Sequence, residues 1–522
     1  MKLTTFLSRR NLLLLIAVFL FFIVTIQASF EFGRLSSPPS YDDIWYLLDG
    51  AQRYEKLVNW GIIPFLKQLF VIPMHSPFCS LQALLGFLLF GLHDWAPYFL
   101  NFFILATFIF YCVRLIGKTD NLLLGSVLLF LFSLPITSWS VHEFRPDFPC
   151  ALLLSIAASE ILIPLSRNIL RKTNIVIGIL LFMCCLWIKP SFFPHTYILC
   201  IATLFIALVQ ISLSGLNFSD KKNRLLEALG YAIPIILMGT ILFSISAGKE
   251  AIPYFFHNTN TDFAQQTWIQ FSFTESLIRN SIGTSSYLIM SVGNILILSI
   301  CLIAVIVKFI KKEFFSYPTT AFALALLSLL IVSKSGHDSH YFLMTFWTIS
   351  IFIFSHLIGN IKIRNLGNKL LPTLLLLSSL FIFSFRSFYC NHNPKQYDWS
   401  SLIVEKAYQY GLKSGNKVEL FIPLIGTYND YLLNWRSLLM RKPIICYSNI
   451  GISNLEEFKQ EIKKYNAILI PGPDNDSIVD YHIISKLRRE VETEINNNPE
   501  WKYLFSTGTN RQDEWIFYTR NK

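Results

Sequence analysis

Residues 76–91 read SPFCSLQALLGFLLFG, and whether this run crosses a bilayer sets the sidedness of everything after it. The run is short for a span, which needs about 20 apolar residues. His93 and Asp94 follow almost at once, and the next run, from Trp95 to Ile116, is long enough to cross and ends near Arg114 and Lys118. If both runs cross, Arg114 and Lys118 face outward and every later basic loop inverts. If only the second crosses, the basic clusters share the inner side: Arg167, Arg171 and Lys172; Lys221, Lys222 and Arg224; Lys308, Lys311 and Lys312; Lys362 and Arg364. Cytoplasmic loops collect Lys and Arg. The second arrangement is therefore expected, with 76–91 an interfacial or re-entrant helix.

The composition supports a bilayer as the main solvent. The 522 residues are 53% hydrophobic, 47 of them Phe, and only 15% are charged, against about 25% in an average soluble protein. A net charge of +11 in a soluble chain would suggest nucleic acid. Here the cations sit in short segments between apolar runs, with no basic stripe carrying interleaved aromatics, so nucleic-acid binding is not expected. Seven of the nine cysteines (Cys79, Cys112, Cys150, Cys184, Cys185, Cys200 and Cys301) lie in or beside apolar runs and read as small hydrophobic filler. No Cys/His spacing suggests zinc. Cys390 and Cys446 lie further on and could pair if that region is extracytoplasmic.

Lys2, Arg9 and Arg10 precede an apolar run from Asn11 to Ser29, longer than a signal-peptide core. An uncleaved first helix with a cytoplasmic start is expected. About eleven spans follow, near 11–29, 95–116, 121–139, 148–166, 173–188, 194–213, 227–247, 286–307, 318–333, 341–359 and 369–388. An odd number carries the C-terminal region to the outside. The expected organisation is a transmembrane domain over 1–388 and a small extracytoplasmic α/β domain over 389–522. In the latter, VELFIP (418–423), PIICYS (443–448), AILIPGP (467–473) and WIFYT (515–519) read as strands, and 430–441, 454–465 and 479–497 as amphipathic helices. No GxGxxG or P-loop is present, so nothing suggests a nucleotide site.

Ionisable residues beside a membrane are costly unless paired, solvated or used, and four groups fall on the outer side. Tyr41-Asp42-Asp43 follows the first span. Its carboxylates suit a general base or, more simply, the cap of a helix starting at Ile44. His142-Glu143-Phe144-Arg145-Pro146-Asp147 places two carboxylates and a guanidinium at a helix start. The fork of Arg145 suits phosphate and the carboxylates suit orienting it or holding a metal; a local ion pair at a cap is the plainer alternative. Lys189 ends an apolar span on the outer side, either for an anionic partner or as a snorkelling end residue. Lys334-Ser335-Gly336-His337-Asp338-Ser339-His340-Tyr341 lies before the tenth span, and His75 lies on the same side. Two histidines alone are weak evidence for zinc.

This ordered set resembles the GT-C superfamily of polytopic glycosyltransferases, in particular the branch with protein O-mannosyltransferases and the lipid A aminoarabinose transferase. Asp42-Asp43 is similar to that family's acidic pair in the first outer loop. His75-Ser76-Pro77, with Ser76 for the first proline, looks like its His-Pro-Pro element, and Leu89-Phe90-Gly91 like the end of the helix that follows. Glu143-Phe144-Arg145-Pro146-Asp147 is similar to its second acidic loop, and His340-Tyr341-Phe342 to a later loop motif. The likeness covers roughly residues 10–345. It implies transfer of a sugar from a polyprenyl-phosphate donor to a glycolipid, polysaccharide or protein acceptor at the outer face, with inversion. Asp42 or Asp43 would be the base. Arg145 and Lys189, with His337, His340 and Tyr341, would take the donor phosphate, and His75, Glu143 and Asp147 would support it. Some relatives use a divalent metal, so the resemblance leaves a metal open. A bacterial inner membrane is the expected location, and a transporter or flippase of a lipid-linked sugar is the rival reading.

Overall fold

In the computed structural model the described residues are 9–520, except 37–38, 40–41, 70–75, 119, 216, 261–271, 283–287, 335–339, 361–366, 391–398, 416, 425–428, 450–451, 453, 473, 476–486 and 509–513. Two compact units emerge. One comprises Met1–Ser29, Arg53–Leu89 and Trp95–His392; the other comprises Phe30–Gln52, Phe90–Asp94 and Asn393–Lys522.

The first unit is helical because backbone N–H and C=O groups in hydrocarbon have no water to bond and must pair within the segment. In α1 (Arg9–Phe32), Leu14, Val18, Phe22 and Ile26 are buried while Leu13, Ile16, Leu20 and Val24 are exposed. This four-residue stripe is a packed seam with an apolar outer face, as a bilayer allows. The helices α2 (Asp42–Trp60), α3 (Ile62–Leu69) and α4 (Pro77–Phe90) follow. At 14 residues, α4 is about 21 Å long, too short to cross a hydrocarbon core of about 30 Å. A short turn, α5 (Ala96–Phe99), leads into α6 (Asn101–Ile116). Gly86 brings α4 against α5: a Cβ there would lie 2.8 Å from Ala96 C and Pro97 N.

The expected third span is bent. It comprises α7 (Asn121–Ser133) and α8 (Pro135–His142), which meet at 71°. Pro135 cannot continue the helical ladder, and the hydroxyls of Ser133 and Thr137 cap the freed carbonyls of Phe130 and Leu131. Among the seven helices long enough to cross, the most buried is α9 (Asp147–Ser166), packed against α10 (Lys172–Ile188). Small residues allow the approach: a Cβ on Gly178 would lie 2.6 Å from Ile161 Cγ1. The chain continues through α11 (Phe193–Leu213), α12 (Phe218–Ile245), α13 (Gly248–Asn260), α14 (Phe273–Ile282), α15 (Leu288–Ile310), α16 (Tyr317–Lys334), α17 (His340–Asn360) and α18 (Gly367–Cys390).

Among the described residues seven helices are long and apolar enough to cross a membrane, or eight with the bent pair as one span. This is a multi-pass membrane protein. Each of the eleven expected segments falls on a helix, but Lys172–Ile188, Thr345–Asn360 and Leu370–Ile382 are shorter apolar helices, like Pro77–Phe90. Of the seven cysteines in apolar runs, Cys184 alone is exposed; the others are buried among apolar neighbours.

The C-terminal part of the second unit runs α19 (Ser400–Ser414), β1 (Val418–Phe421), α20 (Asp430–Met440), β2 (Ile444–Tyr447), α21 (Leu455–Glu461), β3 (Ala467–Pro471), α22 (Arg488–Asn497), β4 (Trp501–Thr507) and β5 (Trp515–Arg520). The strand order is β2-β1-β3-β5-β4. β1 pairs in parallel with β2 (Val418 opposite Ile444) and with β3 (Leu420 opposite Ala467); β5 is antiparallel to both β3 and β4. The all-apolar β3 is central and fully buried. Two elements were not expected, α19 and the edge strand β4. Cys446 is a buried, unbridged thiol on β2, and the Cys390 side chain lies outside the described residues.

Candidate functional site

The acidic pair lies at a helix start in the second unit. After α1 the chain turns at Arg34–Ser36, where Ser36 caps the Gly33 carbonyl through N–H (3.1 Å) and Oγ (2.7 Å). That turn presents Arg34 to α2. Its Nε and Nη2 both donate to Asp43 Oδ2, at 3.0 and 2.9 Å. The Asp43 side chain is fully buried and that of Arg34 is 17% exposed. Two charge-assisted donors on one oxygen tie the carboxylate to the turn that precedes α2. Asp42 is the first residue of α2, and its side chain lies outside the described residues. Arg34 did not stand out in the sequence; the only signal was a cation nine residues ahead of the acids.

Further along α2, Trp45 packs on Tyr431 of α20, with ring centroids 4.4 Å apart. Beside Tyr431, burial pushes the Asp430 carboxyl up to about 6, against the pull of the hydrogen bond from Ser448. Burial, then the charge of Asp430, raises the Tyr431 phenol to about 12. Asp94, also in this unit, accepts from Trp435 Nε1 at 2.6 Å and from Arg436 Nη2 at 2.8 Å.

The cationic residues lie in the first unit, between α8 and α9 and at the end of α10. Phe144 is fully buried and packs on Tyr98, with centroids 5.5 Å apart. Asn101 Nδ2 donates to the carbonyls of Val141 (2.8 Å) and Glu143 (3.0 Å). Gln82 Nε2 in turn donates to Asn101 Oδ1 at 2.7 Å and to the Pro97 carbonyl at 3.0 Å. These buried amides, which a purely apolar run would not contain, lock the loop. On it Arg145 pairs with Glu143 at 3.5 Å, both partly exposed. Asp147, at the first turn of α9, pairs with Lys189, and both are nearly buried. Lys189 Nζ also lies 5.2 Å from the Phe192 ring centroid. Ser76 donates to the Ile188 carbonyl at 2.6 Å, bonding the start of α4 to the residue before Lys189. The serine in place of proline is therefore a working contact.

Of the expected site residues, Glu143 joins Arg145 and Asp147 joins Lys189. His340 and Tyr341 open α17, but their side chains lie outside the described residues, as do His75 and His337. Among the described residues no three His, Cys, Asp or Glu side chains gather as metal ligands would; Glu143 and Asp147 each face a cation instead.

The fold is that of the GT-C glycosyltransferases. ArnT from Cupriavidus metallidurans superposes with a TM-score of 0.56 when bound to undecaprenyl phosphate, at 12% identity, over 96% of this chain and 97% of that one. Its apo state gives 0.58 at 11% identity over the same shares. The mycobacterial arabinofuranosyltransferase AftD gives 0.53 at 11% identity, covering 99% of this chain and 40% of its own. No protein-family model matches the chain, and no curated protein does.

Proposed function

We propose that this protein transfers a sugar from a polyprenyl-phosphate donor to a hydroxyl acceptor at the extracytoplasmic face of a membrane, with inversion at the anomeric carbon. The observation that carries the reading is the acidic pair at the start of α2, with Asp43 buried and forked by Arg34. It is supported by a likeness to ArnT that runs nearly the length of both chains, ArnT having been captured with undecaprenyl phosphate. In this reading Asp43 is committed to Arg34. Asp42, the other member of the acidic pair, is therefore assigned as the base. It takes the acceptor proton as the oxygen attacks the anomeric carbon, and the carbon–phosphate oxygen bond breaks on the opposite face.

Charge grows on the departing phosphate, and preorganised cations there lower the barrier. Arg145, partly exposed beside Glu143, is assigned to that oxygen. Lys189, held by Asp147, positions the adjoining chain and adds positive potential, and His337, His340 and Tyr341 complete the donor site. The reading includes eleven spans, a cytoplasmic N-terminus, a transmembrane domain over 1–388 and an extracytoplasmic domain over 389–522, in a bacterial inner membrane. The acceptor is a glycolipid, a polysaccharide or a protein.

Asp42→Asn in the native host tests the proposal against the transporter alternative. The expected result is loss of the glycan product and accumulation of the lipid-linked sugar on the outer leaflet, with normal protein abundance. Unchanged product, or accumulation on the inner leaflet, would reject transfer chemistry.

A further inference from the structure

We infer that α20 of the C-terminal sheet is the positioning element for the helix that carries the acidic pair, with Tyr431, Trp435 and Arg436 as its positioning residues. The inference rests on the reading of Asp42 as the base. Residues 30–52, which include the start of α2, and residues 90–94 belong to the same compact unit as the C-terminal sheet. Side chains of α20 reach both. Tyr431 packs on Trp45, three positions after the first helical residue of α2, with ring centroids 4.4 Å apart and the rings tilted by 38°. Trp435 is fully buried, and its one polar atom donates to Asp94 at 2.6 Å. Arg436 takes the other Asp94 oxygen at 2.8 Å and donates through Nε to Ser400 Oγ at 3.0 Å. A carboxylate gripped by an indole N–H and a guanidinium is fixed in both position and orientation.

These are not the contacts of a loosely appended recruitment module. Packing alone would be met by apolar side chains. Here a buried tryptophan and a largely buried arginine converge on the two oxygens of a single carboxylate. The base helix is thus held at two points, Arg34 on Asp43 and Tyr431 on Trp45. A reacting group must be held to well under 1 Å, and a displacement of about that size costs roughly 10²-fold in rate. The C-terminal sheet therefore contributes to turnover through the placement of α2.

The test uses full-length protein in nanodiscs and in its host. Trp435→Phe with Arg436→Met retains an aromatic ring and an apolar stem and removes both donors to Asp94; Tyr431→Ala removes the ring contact, and Tyr431→Phe retains the ring. Expected are a 10- to 100-fold fall in consumption of the lipid-linked sugar, recovery in Tyr431→Phe, and an affinity for undecaprenyl phosphate within about twofold of the native protein. Amide exchange in residues 43–52 should quicken in the slow variants. Native consumption in Trp435→Phe/Arg436→Met and in Tyr431→Ala, in a background where Asp42→Asn is inactive, would overturn the inference and leave the functional reading intact. A parallel fall in undecaprenyl phosphate affinity and abundance would overturn it as well, since it would mark general unfolding. Full activity in Asp42→Asn would remove the functional reading itself.

Discussion

Replacing Arg34 by Met isolates the strongest electrostatic feature of the acidic site. Two of its nitrogens meet one oxygen of Asp43 at 2.9 and 3.0 Å, and that carboxylate is fully buried. Removing one member of a buried pair leaves the other charge without compensation, at a cost of about 3–5 kcal/mol. Arg34 is 17% exposed, so water can enter the vacated volume, and the lower end, about 3 kcal/mol, applies. Methionine retains most of the stem, so little of the loss is packing. For a cooperative unit of roughly 150–250 residues this corresponds to a fall in Tm of about 6–12 °C. The assay is thermal unfolding of the full-length protein in nanodiscs at neutral pH, for the native protein, Arg34→Met, Asp43→Asn and the double variant. Stability is read here and turnover is not, because Asp43 adjoins the proposed base. The double variant should recover at least about 1.5 kcal/mol relative to additivity, since an uncharged amide needs no cation. An Arg34→Met protein that melts with the native one, or a strictly additive double variant, would refute the reasoning.

Lys189→Met should destabilise by about 3–5 kcal/mol, because it strands the nearly buried Asp147 carboxylate; adding Asp147→Asn should return most of that loss in the same melts. Gly86→Ala should lower stability by about 1–3 kcal/mol, since the added methyl would sit 2.8 Å from the backbone of Ala96 and Pro97, which cannot swing aside. Asp430 gives a pH signature. Its carboxyl is raised from 3.8 to about 6 by burial, so the folded state binds this proton more tightly than the unfolded state does. The associated stability is fully present below about pH 4 and is lost as the pH rises through about 6, amounting to roughly 3 kcal/mol. Asp430→Asn should therefore melt higher than the native protein at pH 8 and alongside it near pH 4.

The helical unit was legible in the sequence wherever one physical rule dominated. Apolar runs must be helical in lipid, and the run at 76–91 was short enough to read as less than a full span. The buried stripe of α1 is the same rule seen at side-chain level. The parallel strands β1, β2 and β3 were legible as apolar runs bounded by helical patterns. The edge strand β4 was not: Lys502, Tyr503 and Leu504 are consecutively exposed, which breaks the alternation that marks a half-buried strand. The bend between α7 and α8 needed knowledge of which hydroxyls take over the carbonyls freed by Pro135.

At the site, local pairs could be read and distant ones could not. Glu143 and Arg145 are two residues apart and visible in any scan. Lys189 reaches Asp147 across 42 residues, and only the packing of α9 on α10 joins them. Lys189, a cation at the end of an apolar helix, has its partner there. Arg34 and Asp43 are separated by a turn whose direction the sequence does not encode in any simple motif. Gln82 and Asn101, amides inside apolar runs, were the overlooked signal, because a buried amide in such a run must be bonded to something.

The central claim is tested most directly with purified protein in nanodiscs, supplied with lipid-linked sugars and acceptor-containing membranes from its host. Release of free polyprenyl phosphate is then followed for the native protein and for Asp42→Asn. Release by the native protein, falling at least about 10²-fold in the variant as the loss of a general base requires, is the predicted result. Equal release by both proteins would contradict the account.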